Sequence, residues 1–214
     1  KGKVLDIGSG TGHHVNSLKE KGYDAVGVDA SNSMIKQAHK KFPEIKLVHS
    51  DVLKPMTFQP NSFDMITCLY FTIYYIKDKE QFLRNSMLWL RDGGYFILHL
   101  VDKHKFNPMV PAGEPFSVIS PQNYADKRIT ESIVDFETFK YKSNFSLPEK
   151  NKGIFKEYFK FKNSNKVRQN DHVFYMENQK EIISLIQKMG FKLVDSTVMS
   201  KCNYDDQYIY VFQK

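Results

Sequence analysis

Val4-Leu5-Asp6-Ile7-Gly8-Ser9-Gly10-Thr11-Gly12 is the stretch that decides the fold. A short apolar run of strand type ends in alternating glycines. A run of helix type, His13 to Lys21, follows before Gly22. Glycines in a strand-to-helix turn admit positive φ and let a ligand approach the backbone closely. One reading is a dinucleotide-binding turn. That fingerprint has the spacing G-x-G-x-x-G, with a pyrophosphate at the helix start. Here the spacing is G-x-G-x-G, and Asp6 stands two residues before the first glycine. A carboxylate there sits badly beside a pyrophosphate and suits a ligand carrying an ammonium group.

Outward from this turn, strand and helix signals alternate. Asp24 to Asp29 reads as a second strand, and Ser31 as the N-cap of a helix with Met34, Ile35, Ala38 and Phe42 at helical spacing. Lys46 to His49 and Phe63 to Leu69 read as the third and fourth strands. Phe82, Leu83, Met87 and Leu90 mark a helix that Gly93-Gly94 closes, and Tyr95 to Val101 is the fifth strand. This order predicts an α/β chain with a doubly wound parallel sheet. The rhythm breaks at Asn107 to Gly113, a loop by its prolines and glycine. The aromatic-rich segments Ile129–Tyr141, Ile154–Phe161 and Val167–Tyr175 predict antiparallel strands, with turns near Pro148–Gly153 and Asn163–Asn165. Ile182, Leu185, Ile186 and Met189 then give one helix face, ended by Gly190, before strands at Phe191–Val198 and Gln207–Phe212. The expectation is one domain over 1–214, with a core of 1–102 and 176–214 and an insert of about 103–175. Because the chain opens directly on a core strand, an N-terminal segment is expected to be missing from this sequence.

Composition fits a folded chain. Of 214 residues, 41% are hydrophobic and 26% charged, which excludes a mostly disordered chain or a collagen. Such a length buries roughly 70% of the unfolded surface and needs no disulfides. Cys68 and Cys202 are expected as reduced thiols in a cytoplasmic setting; no signal peptide is read. The longest uncharged stretch, Met65 to Ile76, has 12 residues, too few to span a bilayer. The net charge is +7, and Lys103 to His172 alone holds 13 Lys or Arg against 8 Asp or Glu. A basic surface attracts nucleic acid, acidic lipid or an anionic substrate, or is simply a solvated lysine face.

Asp6-x-Gly8-x-Gly10-x-Gly12 resembles the first motif of the class I S-adenosylmethionine-dependent methyltransferases, and later elements follow in the family's order. The resemblance covers residues 1–101 and 177–214. It implies a Rossmann-like, seven-stranded sheet whose last strand is antiparallel and lies beside the fifth, with an antiparallel β insert after the fifth strand. It also implies S-adenosylmethionine as cofactor, S-adenosylhomocysteine as product and no metal. By resemblance, Asp6, Gly8, Ser9, Gly10 and Gly12 line the cofactor turn, and Asp29 takes the ribose hydroxyls. Ala30, Met34, Asp51 and Val52 lie near the adenine, and Cys68 follows at the end of the fourth strand. Consistent with the absence of a metal, no H-x-x-x-H or C-x-x-C pattern occurs.

The acceptor is less defined. After the fourth strand the chain reads Cys68-Leu69-Tyr70-Phe71, without the N-P-P-Y or D-P-P-Y of amino-methylating relatives on nucleic acid. The pattern is similar to small-molecule members such as the amino-sugar N-methyltransferases. In these a loop like Phe71–Ile76 often carries a His where Tyr75 stands, and the insert roofs the active site or makes a dimer. The end of the insert, Arg168-x-x-x-His172-x-x-Tyr175-Met176, matches that group's pattern. Candidate catalytic residues are His99, Tyr75 and His172; candidate substrate contacts are Tyr70, Tyr74, Asp102, Arg168 and Tyr175. His99 is either a proton acceptor or a core histidine. Arg168 and His172 either bind an anionic group or form a strand-surface pair. His13 and His14 read as helix-start residues. The leading reading is a monomeric or homodimeric enzyme that methylates a nitrogen or oxygen of a small anionic acceptor, such as a nucleotide-linked sugar, with no membrane partner. The alternatives are an RNA or nucleotide-cap methyltransferase, in which aromatic residues stack bases and lysines hold phosphates, and a non-catalytic methyltransferase-like domain.

Overall fold

In the computed structural model, which describes residues 2–108, 125–164, 166–202 and 204–214, Lys3–Ile7 forms β1, buried along almost its whole length. A strand flanked by parallel neighbours and covered on both faces needs such a run. The elements that follow are α1 (His13–Glu20), β2 (Asp24–Asp29), α2 (Asn32–Lys41), β3 (Lys46–His49), β4 (Phe63–Cys68), α3 (Thr72–Tyr75), α4 (Lys79–Trp89) and β5 (Leu90–Val101). Then come β6 (Glu131–Asp135), β7 (Phe139–Glu149), β8 (Lys152–Phe161), β9 (Val167–Tyr175), α5 (Gln179–Lys188), β10 (Lys192–Val198) and β11 (Gln207–Gln213). Of the loop expected at Asn107–Gly113, residues 109–113 lie outside the described residues, as does Asn165 of the turn expected at Asn163–Asn165.

The chain divides into two compact units. The first comprises Lys1–Leu100, Gln179–Val198 and Tyr208–Lys214, and the second Val101–Asn178 and Met199–Gln207. The first is built on a seven-stranded sheet of order β10-β11-β5-β4-β1-β2-β3. Strands β1 to β5 pair in parallel, while β10 and β11 pair antiparallel, as expected for the end of this sheet. Helices α1 and α2 bury Val15 and Ala38 against Ala25 and Ile45. Phe96 of β5 meets the rings of Phe82, Phe191 and Phe212.

Beyond shifts of a residue or two at element ends, three elements differ from the sequence reading. The helix before β5 ends at Trp89 rather than at the glycines, because Leu90 is already extended. Gly93 then takes φ +76 inside an irregular start of β5, where it donates to Lys214 O. Thr72–Tyr75 is a helical turn instead of open loop. The segment Ile129–Tyr141 is two strands, since the chain reverses at 136–138, where Phe136 N donates to Phe139 O and the two rings pack 4.7 Å apart.

The second unit holds a four-stranded antiparallel sheet of order β6-β7-β8-β9. Strand alternation sorts its residues. The register places Tyr141 opposite Phe159, Ser143 opposite Glu157 and Phe145 opposite Phe155. The same face continues across β9, with Phe159 opposite Arg168, Glu157 opposite Asn170, Phe155 opposite His172 and Gly153 opposite Phe174. The other face carries Lys140, Lys142, Lys156 and Lys160. The β7–β8 ladder shifts between Ser146 and Glu149, where β7 has one more residue than β8. Pro148, with no N–H to give a ladder, lies in that shift. Two cations fasten the unit. Lys103, buried, donates to Lys150 O (2.5 Å), Asn151 Oδ1 (3.1 Å) and Met176 O (2.8 Å). Arg128 donates to Lys103 O and Phe106 O, its guanidinium over the Phe106 and Phe145 rings.

Candidate active site

The glycine turn between β1 and α1 is held by main-chain bonds. Gly8 N and Ser9 N both donate to Val28 O of β2, and Gly12 N closes on Ser9 O. Gly8, Gly10 and Gly12 all lie at positive φ. A Cβ on Gly8 would stand 2.5 Å from Thr72 Cγ2, so the site needs glycine for space as well as for φ. Over Gly10, by contrast, a Cβ would meet nothing nearer than Gly8 O at 4.0 Å, so the backbone is open there.

Three acids lie at strand ends around this turn. Asp29 accepts Gly10 N on Oδ2 (2.9 Å) and Ser31 N on Oδ1 (2.8 Å), which ties the turn to the end of β2. Asp6 is buried and accepts the Thr67 hydroxyl at 2.7 Å. Burial pushes its carboxyl above the usual carboxylate range, against the bond from Thr67 and the nearby His14. Asp51 is exposed and accepts Leu53 N at 2.9 Å, an Asx turn. That loop is pinned from α4, where Asn85 Nδ2 donates to Val52 O and Trp89 Nε1 to Pro55 O. Of the other residues nominated for the cofactor, Ala30 is exposed and its carbonyl meets His49 Nε2. Met34 N takes the Ser31 cap, and its side chain is exposed. Ser9 Oγ is buried and, among the described residues, without a hydrogen-bond partner. Cys68 is buried beside Ile7, and burial pushes its thiol well up, so it stands as a small neutral wall group.

Beyond the end of β4, Tyr70 is exposed at φ +53, a conformation costing about 1–3 kcal/mol for a residue with a Cβ. Its ring stacks on His14 (centroids 5.5 Å, 5° between planes) and meets His99 edge-on at 6.0 Å. His14 thus belongs to this group, which its place in the sequence did not suggest. His99 is buried on β5 and Tyr74 is buried, whereas Tyr75 is half exposed.

In the second unit, Asp102 spends its carboxylate on His104 N in a turn. Arg168 and His172 share one face of β9, and Tyr175, three residues beyond His172, lies on the other. Arg168 Nε donates to Asn170 Oδ1. His172 Nε2 lies 3.1 Å from Glu157 Oε2, a carboxylate the sequence reading overlooked. The available signal was parity, since Glu157 alternates with Phe155 and Phe159 on one strand. Among the described residues no group of His, Cys, Asp or Glu is arranged to hold a metal ion, and no helix is long and apolar enough to cross a membrane.

This turn, with its acids at the C-terminal ends of parallel strands, coincides with a match to the family described as methyltransferase domain, over residues 5–98. The chain is 30% identical over 98 residues to a dTDP-4-amino-2,3,4,6-tetradeoxy-D-glucose N,N-dimethyltransferase of Saccharopolyspora spinosa, covering 44% of this chain and 39% of that protein. The chain spans well under half the length of the curated relatives it matches. Among solved structures, it superposes on an S-adenosylmethionine-dependent methyltransferase from Clostridium acetobutylicum with a TM-score of 0.77 at 18% identity, covering 99% of this chain and 83% of that one. It superposes on CalS10, an amino pentose methyltransferase from Micromonospora echinaspora, with a TM-score of 0.70 at 15% identity, covering 99% and 82%. At these identities the likeness to the solved structures is one of fold.

Proposed function

We propose that this chain transfers the methyl group of S-adenosylmethionine to a nitrogen or oxygen of a small acceptor with an anionic group, in the class of nucleotide-linked sugars. The observation that carries the reading is the Asp29 carboxylate, which clamps Gly10 and Ser31 with one oxygen each and makes the turn and the β2 end one rigid piece. The residues fit the cofactor. The backbone over Gly10 is open, Ser9 offers a buried unsatisfied hydroxyl, and Asp6 is a buried carboxyl that a neighbouring ammonium would help to ionise. Asp6 and the turn would hold the amino-acid end, Asp29 the ribose, and Ala30, Met34, Asp51 and Val52 the adenine end. The sulfonium, when bound, supplies an activated methyl for in-line displacement.

The protein's part is alignment, worth roughly 7–11 kcal/mol of a barrier, and proton removal, worth about 10²–10⁴-fold. Tyr70, exposed and wedged between two histidines, is the acceptor-side wall in the first unit. His99 behind it is the proposed proton acceptor, with Tyr75 beside that loop. In the second unit Arg168 and His172 share a face and serve acceptor recognition. The likeness to a sugar N,N-dimethyltransferase and to an amino pentose methyltransferase supports the sugar class. Calorimetric titration with S-adenosylmethionine and S-adenosylhomocysteine tests the core of this reading. Micromolar binding is expected, and Asp29→Ala should weaken it by about 1.5–3 kcal/mol, the worth of charge-assisted hydrogen bonds. No binding by the unaltered chain, or equal affinity in the variant, overturns it.

A further inference from the structure

The exposed face of the β6–β9 sheet carries a charge pattern that the fold itself does not need. Lys140 and Lys142 on β7 and Lys156 and Lys160 on β8 all lie on it, opposite to the face of Tyr141, Phe145 and Phe174. These are the two middle strands of the sheet. Lys140 stands directly across from Lys160, and Lys142 is diagonal to both Lys156 and Lys160. Like charges set directly across a ladder destabilise it. Among the described residues Lys142, Lys156 and Lys160 have no ion pair. Lys152, farther along β8, is taken by Glu149 at 2.9 Å.

The acids of the same face stand on the two edge strands, Glu131 and Asp135 on β6 and Asp171 on β9. Each is engaged there. Asp135 holds Lys140 (3.4 Å) and Lys162 (2.6 Å), Glu131 accepts Asn144 Nδ2, and Asp171 accepts Gln169 Nε2 (2.9 Å). The result is a cationic stripe two strands, or about 5 Å, across, with an acidic border on each side. Tyr158 lies within it, half-buried, between Lys156 and Lys160 on its own strand and opposite Lys142. Exposed Ile133 and Val167 stand beside it, across from Lys142 and Lys160. A flat anionic surface such as a membrane would press on the border acids as well as on the lysines. A narrow chain laid along β7 and β8 meets the lysines alone. The ring among them offers a stacking partner, which a nucleobase can use and an acidic peptide cannot.

We propose that this stripe binds single-stranded nucleic acid along β7 and β8, with Lys142, Lys156 and Lys160 on phosphates and a base stacked on Tyr158. The inference stands apart from the methyltransferase reading, since none of these residues is assigned to cofactor or acceptor. The test is fluorescence anisotropy on the full chain with a labelled single-stranded RNA of about 12 nucleotides. With three lysines on phosphates, log affinity should fall against log salt with a slope of about −2, roughly 0.7 for each contact. Lys142→Gln, Lys156→Gln and Lys160→Gln together should abolish binding. Lys180→Gln, Lys188→Gln and Lys192→Gln together make the same charge change in the first unit and, being screened, should weaken it by less than about twofold. Tyr158→Ala should weaken it roughly tenfold, the worth of one stacked base, with the slope unchanged, and Tyr158→Phe should keep it. S-adenosylhomocysteine affinity should be the same in every variant. No RNA binding, an equal loss in the two lysine triples, or an unaltered affinity in Tyr158→Ala overturns the inference. So does tighter binding of poly-glutamate or of phosphatidylserine vesicles through the same lysines. Any of these results with S-adenosylhomocysteine still bound leaves the methyltransferase reading standing.

Discussion

The two units hold their key acids by different means. In the first, two of the three acids, Asp29 and Asp51, are fixed by main-chain amides, Gly10 and Ser31 for one and Leu53 for the other, while only the buried Asp6 takes a side-chain hydroxyl, from Thr67. In the second, Glu157 is fixed by the side chains of Tyr141, Asn170 and His172, brought together by strand register. A main-chain site depends on backbone conformation, and a few glycines at fixed spacing suffice to write it. A side-chain site depends on which residues face each other across a sheet, and residues 141, 157 and 172 share no local motif.

The comparison predicts where each site breaks. Gly8→Ala should have the largest effect, because it attacks backbone conformation itself. The left-handed φ of +67 and the 2.5 Å approach to Thr72 together should cost about 2–4 kcal/mol. Urea unfolding followed through Trp89, the single tryptophan and fully buried, would measure it. Adding Thr72→Gly should return the steric part and leave the φ part; full recovery would show that space alone demands glycine. Next, Tyr141→Phe removes a bond to an ionised group and should cost about 1.5–3 kcal/mol at neutral pH. The sign of its pH dependence follows from Glu157. A carboxyl held below its unfolded value contributes stability above that value, and loses it as the pH falls through the lowered one. The gap between Tyr141→Phe and the unaltered chain should therefore close in acid, and a gap constant with pH would place Tyr141 outside the network. Lys142→Ala should have the smallest effect. It alters the very next residue, on the exposed face, and should stay within about 0.5 kcal/mol. A larger loss would mean that the two faces are not energetically separate.

The same distinction explains what was legible beforehand. Asp24–Asp29 and Lys46–His49 were readable to the residue, because turn glycines, a Ser31 cap and continuous apolar runs are local signals. The start of β5 has no such local signal, because Leu90 turns extended three residues ahead of Gly93, the visible stop. The reversal at 136–138 carries neither glycine nor proline, and the Phe136–Phe139 ring pair closes it instead. By position His14 reads as a helix-start residue, and only the fold brings Tyr70 against it. The pattern Arg168-x-x-x-His172-x-x-Tyr175 reads as one group by resemblance, but alternation along β9 sends Tyr175 to the opposite face.

The ladder shift between Ser146 and Glu149 bears on how such a chain can diverge. A residue inserted or deleted within β8 near Glu157 would exchange the two faces, carrying lysines inward and the carboxylate out. At the hairpin tip the pairing already accommodates one extra residue, so a change of length there need not propagate to the middle of the strands. Descendants of this sequence are therefore free to vary the tip in length, while the centre of the sheet can change only by substitution.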